Sequence, residues 1–538
     1  MNGLTMDFPL TVSAIVRRCD ALFRHKAVTS RLPDRRIVRH TYGEIIDRSR
    51  RLAVALRRLG VMPGDRVATL GWNHHQHLEA YFAIPTIGAV LHTLNLRLHP
   101  DDLASIAHDA GDTVVLADES LLPLLACFRS RTAIGRVIVM ARTGGQIGDA
   151  ADYEELIARD DSSDHVPMDN AENAAAAICY TSGTTGSPKG VVYSHRAIVL
   201  HSLVCGMTDG LGVCERDTIM PVVSMFHVNA WGLPFAALMT GANLVLPGPC
   251  LDAASILELC QQERVTCAAG VPTVWLGVLA TLDAAPGAYD LSRLRRIFIG
   301  GAAAPAALIQ ALEERHGVRV VHAWGMTESA PLGSVCWVTS DLDEALPEQQ
   351  LAHRATQGFP VPLVEFRARS EQGLVPWDGI SMGELEMRGA WVAKAYYGGQ
   401  GEDRFADDGW FKTGDIVTIS PRGAIEIRDR SKDVVKSGGE WISSVALECS
   451  LMGHPAVAEA AVVAVPHAKW GERPLAVVVM KSGCCVTEQE LIAYLEPGFV
   501  RWWLPDAVVF VDEIPRTAAG KFRKTALRDR FRTHYGVT

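Results

Sequence analysis

The chain has 538 residues, more than one hydrophobic core usually serves, so two or more domains are expected. At 48% hydrophobic and 21% charged it is an ordinary globular composition, and a net charge of -9 argues against a nucleic-acid binder, which would carry a basic surplus. The opening residues MNGLTMDFPLTVSAIVRRCD place Asp7 early and the arginines after the apolar stretch, the reverse of a secretory signal, and no run of about 18 apolar residues offers a membrane span.

Residues 41–60 read as an amphipathic helix, with Thr41 as cap, Ile45, Leu52, Leu56 and Leu59 along one stripe and Gly60 as stop. A strand over 66–70, a helix from about 75 and a strand over 90–94 follow. Asp101 is placed to cap a helix over 102–110, and 114–116 is a further strand. Alternation of this kind predicts a parallel sheet covered by helices. The rhythm resumes with strands over 174–180, 191–193, 243–246, 266–269, 296–299 and 318–322, and helices over 195–203 and 255–263. From about 360 the texture changes. Segments 364–368, 383–387 and 425–427 alternate polar with apolar, as antiparallel strands do. After 428–433 a smaller unit begins, with helices over 443–452 and 487–495 and strands over 460–465, 474–480 and 507–510. A boundary near Lys432 divides the chain into 1–431 and 432–538, and the charged connector there suits a mobile joint. The 12 cysteines show no C-x-x-C spacing, so a cytoplasmic protein with reduced, mostly buried thiols is expected.

The densest chemical signal is Thr181-Ser182-Gly183-Thr184-Thr185-Gly186-Ser187-Pro188-Lys189-Gly190. Three glycines, five hydroxyl side chains and one lysine fall within residues 181–190, after an apolar strand. Glycines bring backbone N–H groups close to an anion, and hydroxyls add donors, which is a recipe for holding polyphosphate. It is not a Walker loop, in which the lysine directly follows the second glycine. Four more stretches join it: His322-Ala323-Trp324-Gly325-Met326-Thr327-Glu328, Thr413-Gly414-Asp415, Lys432 with Ser437-Gly438-Gly439-Glu440-Trp441, and Pro515-Arg516-Thr517-Ala518-Ala519-Gly520-Lys521.

Together these resemble, in order and over nearly the whole chain, the adenylate-forming superfamily of acyl-CoA synthetases, aryl-CoA ligases, luciferases and peptide-synthetase adenylation domains. The resemblance implies an α/β fold: a large N-terminal domain of parallel-type sheets flanked by helices plus a β-rich subdomain, and a small α+β C-terminal domain on a hinge. It implies that residues Thr181 to Gly186 and Lys189 hold the phosphates of ATP, with Thr184 and Glu328 at Mg²⁺. Trp324 would pack on adenine, where Tyr is commoner, with Gly325, Met326, Gly300 and Ala302 alongside, and Thr327 would contact phosphate. Asp415 and Arg430 would take the ribose, Lys432 would be the hinge, and Gly438, Gly439 and Trp441 would line the channel for coenzyme A. Lys521 matches the catalytic lysine, a point cation for the α-phosphate. Arg523 and Lys524 beside it also fit a solvated basic tail.

His227 and Trp231 are four apart and would share a helix face. The resemblance is closest to the fatty-acyl-CoA synthetases. It places such a His beside the acid and a Trp as gate of the fatty-acid tunnel, while simple packing of Trp231 fits equally. Val228, Val271 and Gly301 would surround the acid. The expected activity is an AMP-forming acid–thiol ligase acting on a medium- or long-chain carboxylic acid and coenzyme A; the subgroup also suggests a homodimer. Aryl or short sulfur-containing acids remain the alternative substrates, and a non-catalytic acyl or nucleotide carrier is the alternative class.

Overall fold

The computed structural model of the protein describes residues 1, 3–168, 171–181, 187–438, 440–516 and 522–536, Glu440 by its backbone only. The helix expected over 41–60 is Tyr42–Arg58. Its start is fixed reciprocally: Thr41 Oγ1 accepts from Glu44 N, and the Glu44 carboxylate accepts from Thr41 N at 2.7 Å. The helix expected from residue 102 instead runs Pro100–Ala110, and its cap is His99, whose side chain accepts from Asp101 N. Proline's fixed φ suits the first helical position, so the start moves upstream of Asp101.

Two sheets form the body. In one, Val114–Asp118, Arg66–Leu70, Val90–Thr93 and Ala175–Tyr180 lie side by side and parallel. Gly190–Ser194 closes that edge antiparallel to Ala175–Tyr180, with Gly190 opposite Tyr180. In the other, Thr218–Pro221, Cys267–Gly270, Arg296–Ile299 and Arg319–Gly325 run parallel, and Leu332–Cys336 returns antiparallel. Such strands are covered on both faces and therefore read as short apolar runs. One apolar core containing Ile45, Leu56, Phe82, Leu91, Phe235 and Phe298 is shared by both sheets and the helices between them.

The β-rich part is an antiparallel sheet of Val364–Ser370, Gly383–Gly389, Phe411–Ile419 and Ile425–Arg430, with a short flanking strand. Val364, Phe366 and Ala368 point inward while Glu365 is exposed, which produces the alternation seen in the sequence. The small C-terminal domain is built on the long pair Val457–His467 and Gly471–Met480, with Ala507–Phe510 parallel to the latter. Its own core joins Leu447 and Leu491, from the helices Ser444–Met452 and Glu488–Leu495, to Val462 and Val478. The fold is α/β, with the sheet classes and small C-terminal domain expected. The cysteines form no disulfide, but Cys127, Cys214, Cys484 and Cys485 are exposed rather than buried. Among the described residues no helix is long and apolar enough to cross a membrane.

Candidate active site

A cleft of about 850 Å³ opens where the two sheets, the β-rich part and the small domain meet. The hydroxyl-rich loop joins the strands Ala175–Tyr180 and Gly190–Ser194, and its two ends, Thr181 and Lys189, line the cleft. Its neck is closed twice: Thr181 N donates to Lys189 O and Lys189 N to Thr181 Oγ1, both at 3.0 Å. Glycine at 190 lets the strand approach closely, since an added Cβ would stand 3.0 Å from Tyr180 Cζ and Tyr397 Cβ and have to push them back. Lys189 Nζ sits 5.7 Å from the centre of the Tyr396 ring, a cation over an aromatic face. Ser182, Gly183, Thr184, Thr185 and Gly186 lie outside the described residues.

The strand Arg319–Gly325 delivers the next group. Trp324 Nε1 donates to Asp415 Oδ2 at 3.1 Å, and Arg430 Nε meets Asp415 Oδ1 at 2.7 Å. Strand register sets Arg430 directly opposite Asp415. The carboxylate is only 1% exposed, yet each oxygen keeps a lone pair for another donor. Trp324, Asp415 and Arg430 thus form one hydrogen-bonded unit. Gly325, Met326 and Thr327 line the cleft beside it. Thr327 O accepts from Tyr193 OH at 2.7 Å, which ties this turn to the strand following the loop.

Glu328 is buried, and its Oε1 accepts from Tyr396 OH at 2.5 Å. Burial and then the Glu328 charge raise the Tyr396 phenol well above its ordinary pKa, so it remains a donor. Among the described residues no side chain bonds the second Glu328 carboxylate oxygen. No trio of His, Cys, Asp or Glu able to hold a metal exists among the described residues. A hard cation at Glu328 would therefore complete its shell with phosphate oxygens and water, an arrangement that fits Mg²⁺. Tyr396 and Tyr193 were not singled out in the sequence. The aromatic pair and glycines of Tyr396-Tyr397-Gly398-Gly399 were the only local sign.

His227, Val228, Trp231, Val271, Gly300 and Gly301 share the other end of the cleft. The helical face expected for His227 and Trp231 is absent. Val228, Asn229, Ala230 and Trp231 have φ of 47°, 50°, 49° and 58°, and Gly232 follows at 70°, so the segment is a left-handed turn. This turn lays the Trp231 indole over two glycines: a Cβ on Gly300 would be 3.2 Å from its ring, and one on Gly301 4.0 Å away. Leu211, Phe298 and Leu332 line the same cleft, giving it an apolar end. Ala302, expected beside the nucleotide, is exposed and is not part of the cleft wall.

From the small domain, Arg516, Phe522, Arg523, Lys524 and Thr525 face the cleft, together with Lys432 at the connector. Gly438 and Trp441 do not. Gly438 instead packs against Trp470 and Trp502, and Trp441 pairs across a short hairpin with Lys436. Gly439 and Lys521 lie outside the described residues. A solvated tail is ruled out for Lys524: its side chain is 11% exposed and pairs with Glu448 at 2.6 Å.

Two family descriptions match the chain in order. Residues 19–397 match the AMP-binding enzyme family and residues 446–521 the AMP-binding enzyme C-terminal domain. The chain is 50% identical over 534 residues to a long-chain-fatty-acid–CoA ligase of Thermus thermophilus, covering 99% of this chain and 97% of that protein. It is 43% identical over 538 residues to a 3-methylmercaptopropionyl-CoA ligase of Ruegeria lacuscaerulensis, with 99% of each covered. The crystal structure of the anthranilate CoA ligase AuaEII with anthranoyl-AMP superposes with a TM-score of 0.87 at 25% identity over 99% of both chains. Identity sustained over the full length, with both family descriptions matched in order, makes this protein a member of the AMP-binding enzyme family.

Proposed function

We propose that this protein is an ATP-dependent fatty-acyl-CoA ligase. It activates a medium- or long-chain carboxylic acid as an acyl-adenylate and passes the acyl group to coenzyme A. Membership of the family, with CoA ligases as full-length relatives, carries the broader class of acid–thiol ligase. The choice of acid rests on the apolar end of the cleft around Trp231, where Leu211, Val228, Val271, Phe298 and Leu332 present no charge to a substrate tail.

A carboxylate is a poor acyl donor because its leaving group would be oxide. Its oxygen attacks the α-phosphate of ATP instead, expels pyrophosphate and leaves a mixed anhydride. Residues 182–186 with Thr181 and Lys189 hold the outer phosphates, and Trp324 stands by the adenine. Thr327 contacts phosphate, while Asp415, steadied by Arg430, accepts from the ribose hydroxyls. Mg²⁺, held by Glu328 and Thr184, would neutralise phosphate charge. Lys521 supplies a cation where negative charge grows at the α-phosphate. The small domain, residues 432–538, then turns about Lys432. Gly438, Gly439 and Trp441, of which Gly438 and Trp441 now face away, would come to line the path of coenzyme A. Its sulfur attacks the carbonyl beside His227 and releases AMP. Two chemistries in one cleft give the turn its purpose.

A second reading has its own support. The Trp231 indole lies over Gly300 and Gly301, where it would limit the length of an entering tail and suit an aryl or short sulfur-containing acid. Thioester formation across straight-chain, aryl and short sulfur-containing acids separates the two. Under the first reading kcat/KM rises with chain length. A maximum on a short or aryl acid favours the second, and binding without AMP release would refute both.

A further inference from the structure

Charged groups are buried together where the strand Ile425–Arg430 passes into the small domain. Asp429 is fully buried. Its Oδ2 accepts from Ser444 N at 2.6 Å, at the start of the helix Ser444–Met452, and its Oδ1 accepts from Arg430 N at 2.7 Å. Ser443, the cap of that helix, donates its hydroxyl to Arg428 O. Lys524 opens the helix Lys524–Phe531 and donates to Ser444 Oγ and Glu448 Oε1, each at 2.6 Å. Arg528, one turn on, donates to Lys432 O at 2.8 Å and pairs with Asp433 at 2.7 Å. Burial opposes the charge on Lys524, but Glu448 and Asp429 outweigh it and keep the ammonium protonated.

The partners divide by side. Asp429 and Arg428 precede the connector, whereas Ser443, Ser444, Glu448 and Lys524 follow it. A turn about Lys432 would leave Asp429 behind with Arg430 N and carry Ser444 N and the Lys524 ammonium away. Ser444 bridges Asp429 and Lys524, its N on the Asp429 carboxylate and its Oγ on the Lys524 ammonium; opposite charges buried this close add little net stability compared with apolar packing, yet separating them is costly. Such a contact therefore discriminates between arrangements more than it stabilises the fold.

We propose that Lys524 and Asp429 form a lock at the joint that selects the arrangement in which residues 516 and 522–525 face the cleft. Lys524 is then a positioning residue for adenylate formation and has no part in thioester formation. Lys521 lies three residues before Lys524 in the chain, so the lock acts on the segment that carries it. The inference rests on the two-step reading above.

The test compares wild type, Lys524→Met, Asp429→Asn and Lys524→Arg in two assays: acid-dependent ATP–pyrophosphate exchange, and thioester formation from preformed acyl-adenylate. Lys524→Met and Asp429→Asn are expected to lose about tenfold or more of the exchange, to keep the wild-type thioester rate, and Lys524→Arg to recover the exchange. Equal loss in both assays, or unchanged exchange in Asp429→Asn, would overturn the lock. Asp429→Asn keeps the volume and the acceptor for Ser444 N, so it decides alone should Lys524→Met not fold. A wild type without exchange would instead overturn the two-step reading.

Discussion

Tyr396 is the residue on which the cation side of the cleft turns. Its hydroxyl donates to Glu328 and its ring carries Lys189, so one side chain orients both charges expected at the phosphates. Removing the hydroxyl leaves a buried carboxylate oxygen without its donor, a loss of about 1–3 kcal/mol. Tyr396→Phe is accordingly expected to slow acid-dependent ATP–pyrophosphate exchange about tenfold and to raise the Mg²⁺ concentration needed for half-maximal exchange. An unchanged Mg²⁺ requirement would remove Tyr396 from the site. The histidines give a separate, pH-linked expectation. Burial pushes His201 and His322 down from 6.5 to about 4, so both are neutral in the folded protein. Their stability contribution is complete above the unfolded value and is lost as pH falls from 6.5 towards 4, when only the unfolded chain takes up the proton. The thermal midpoint should drop over that window, and His322→Gln should flatten the drop, since one such shift is worth about 3 kcal/mol. At this scale Trp324, Asp415, Glu328 and Lys189 were legible in the sequence as chemistry-bearing types in ordered motifs. Their bonds were not: the Trp324–Asp415 contact spans 91 positions and depends on strand register. Lys524 read as surface because basic neighbours surround it, and its carboxylate partner lies far away in the chain.

The left-handed turn Val228–Trp231 is the element that shapes the end of the cleft proposed for the acid. Four consecutive non-glycine residues with positive φ each cost roughly 1–2 kcal/mol relative to a right-handed helix, so surrounding contacts must hold them. Asn229 accepts weakly from Tyr81 and Cys179, and Ala230 N donates to Ser224 O at 3.2 Å. Gly232 ends the turn at φ 70° against His201, whose ring would lie 2.7 Å from an added Cβ. Gly232→Ala combines left-handed strain with a clash on a buried ring. It should destabilise the protein by about 2 kcal/mol and raise KM for the acid more than KM for ATP. Equal effects on both KM values would show that the turn does not govern the acid end alone. Sequence spacing gave a helix here because a four-residue interval between His227 and Trp231 is blind to handedness. By contrast, the Thr41–Glu44 capping box and the strand at 66–70 were legible, because their signals are local. The helix at Pro100 moved by two residues because proline outranked Asp101 as a start signal.

At the scale of the whole molecule the alternation of strands and helices announced the α/β body, and the switch to period-two alternation announced the antiparallel part. How the small domain sits over the cleft was not readable, since it depends on contacts such as Ser444 N with Asp429 that cross the connector. The arrangement seen, with residues 522–525 at the cleft and Gly438 turned away, is the one the proposed first step would use. The most direct test is fatty-acid-dependent ATP–pyrophosphate exchange in the absence of coenzyme A, for wild type and Lys521→Ala. The account predicts exchange by wild type and none by Lys521→Ala, while both form thioester from preformed acyl-adenylate once coenzyme A is added. Exchange that requires coenzyme A, or that persists in Lys521→Ala, would contradict it.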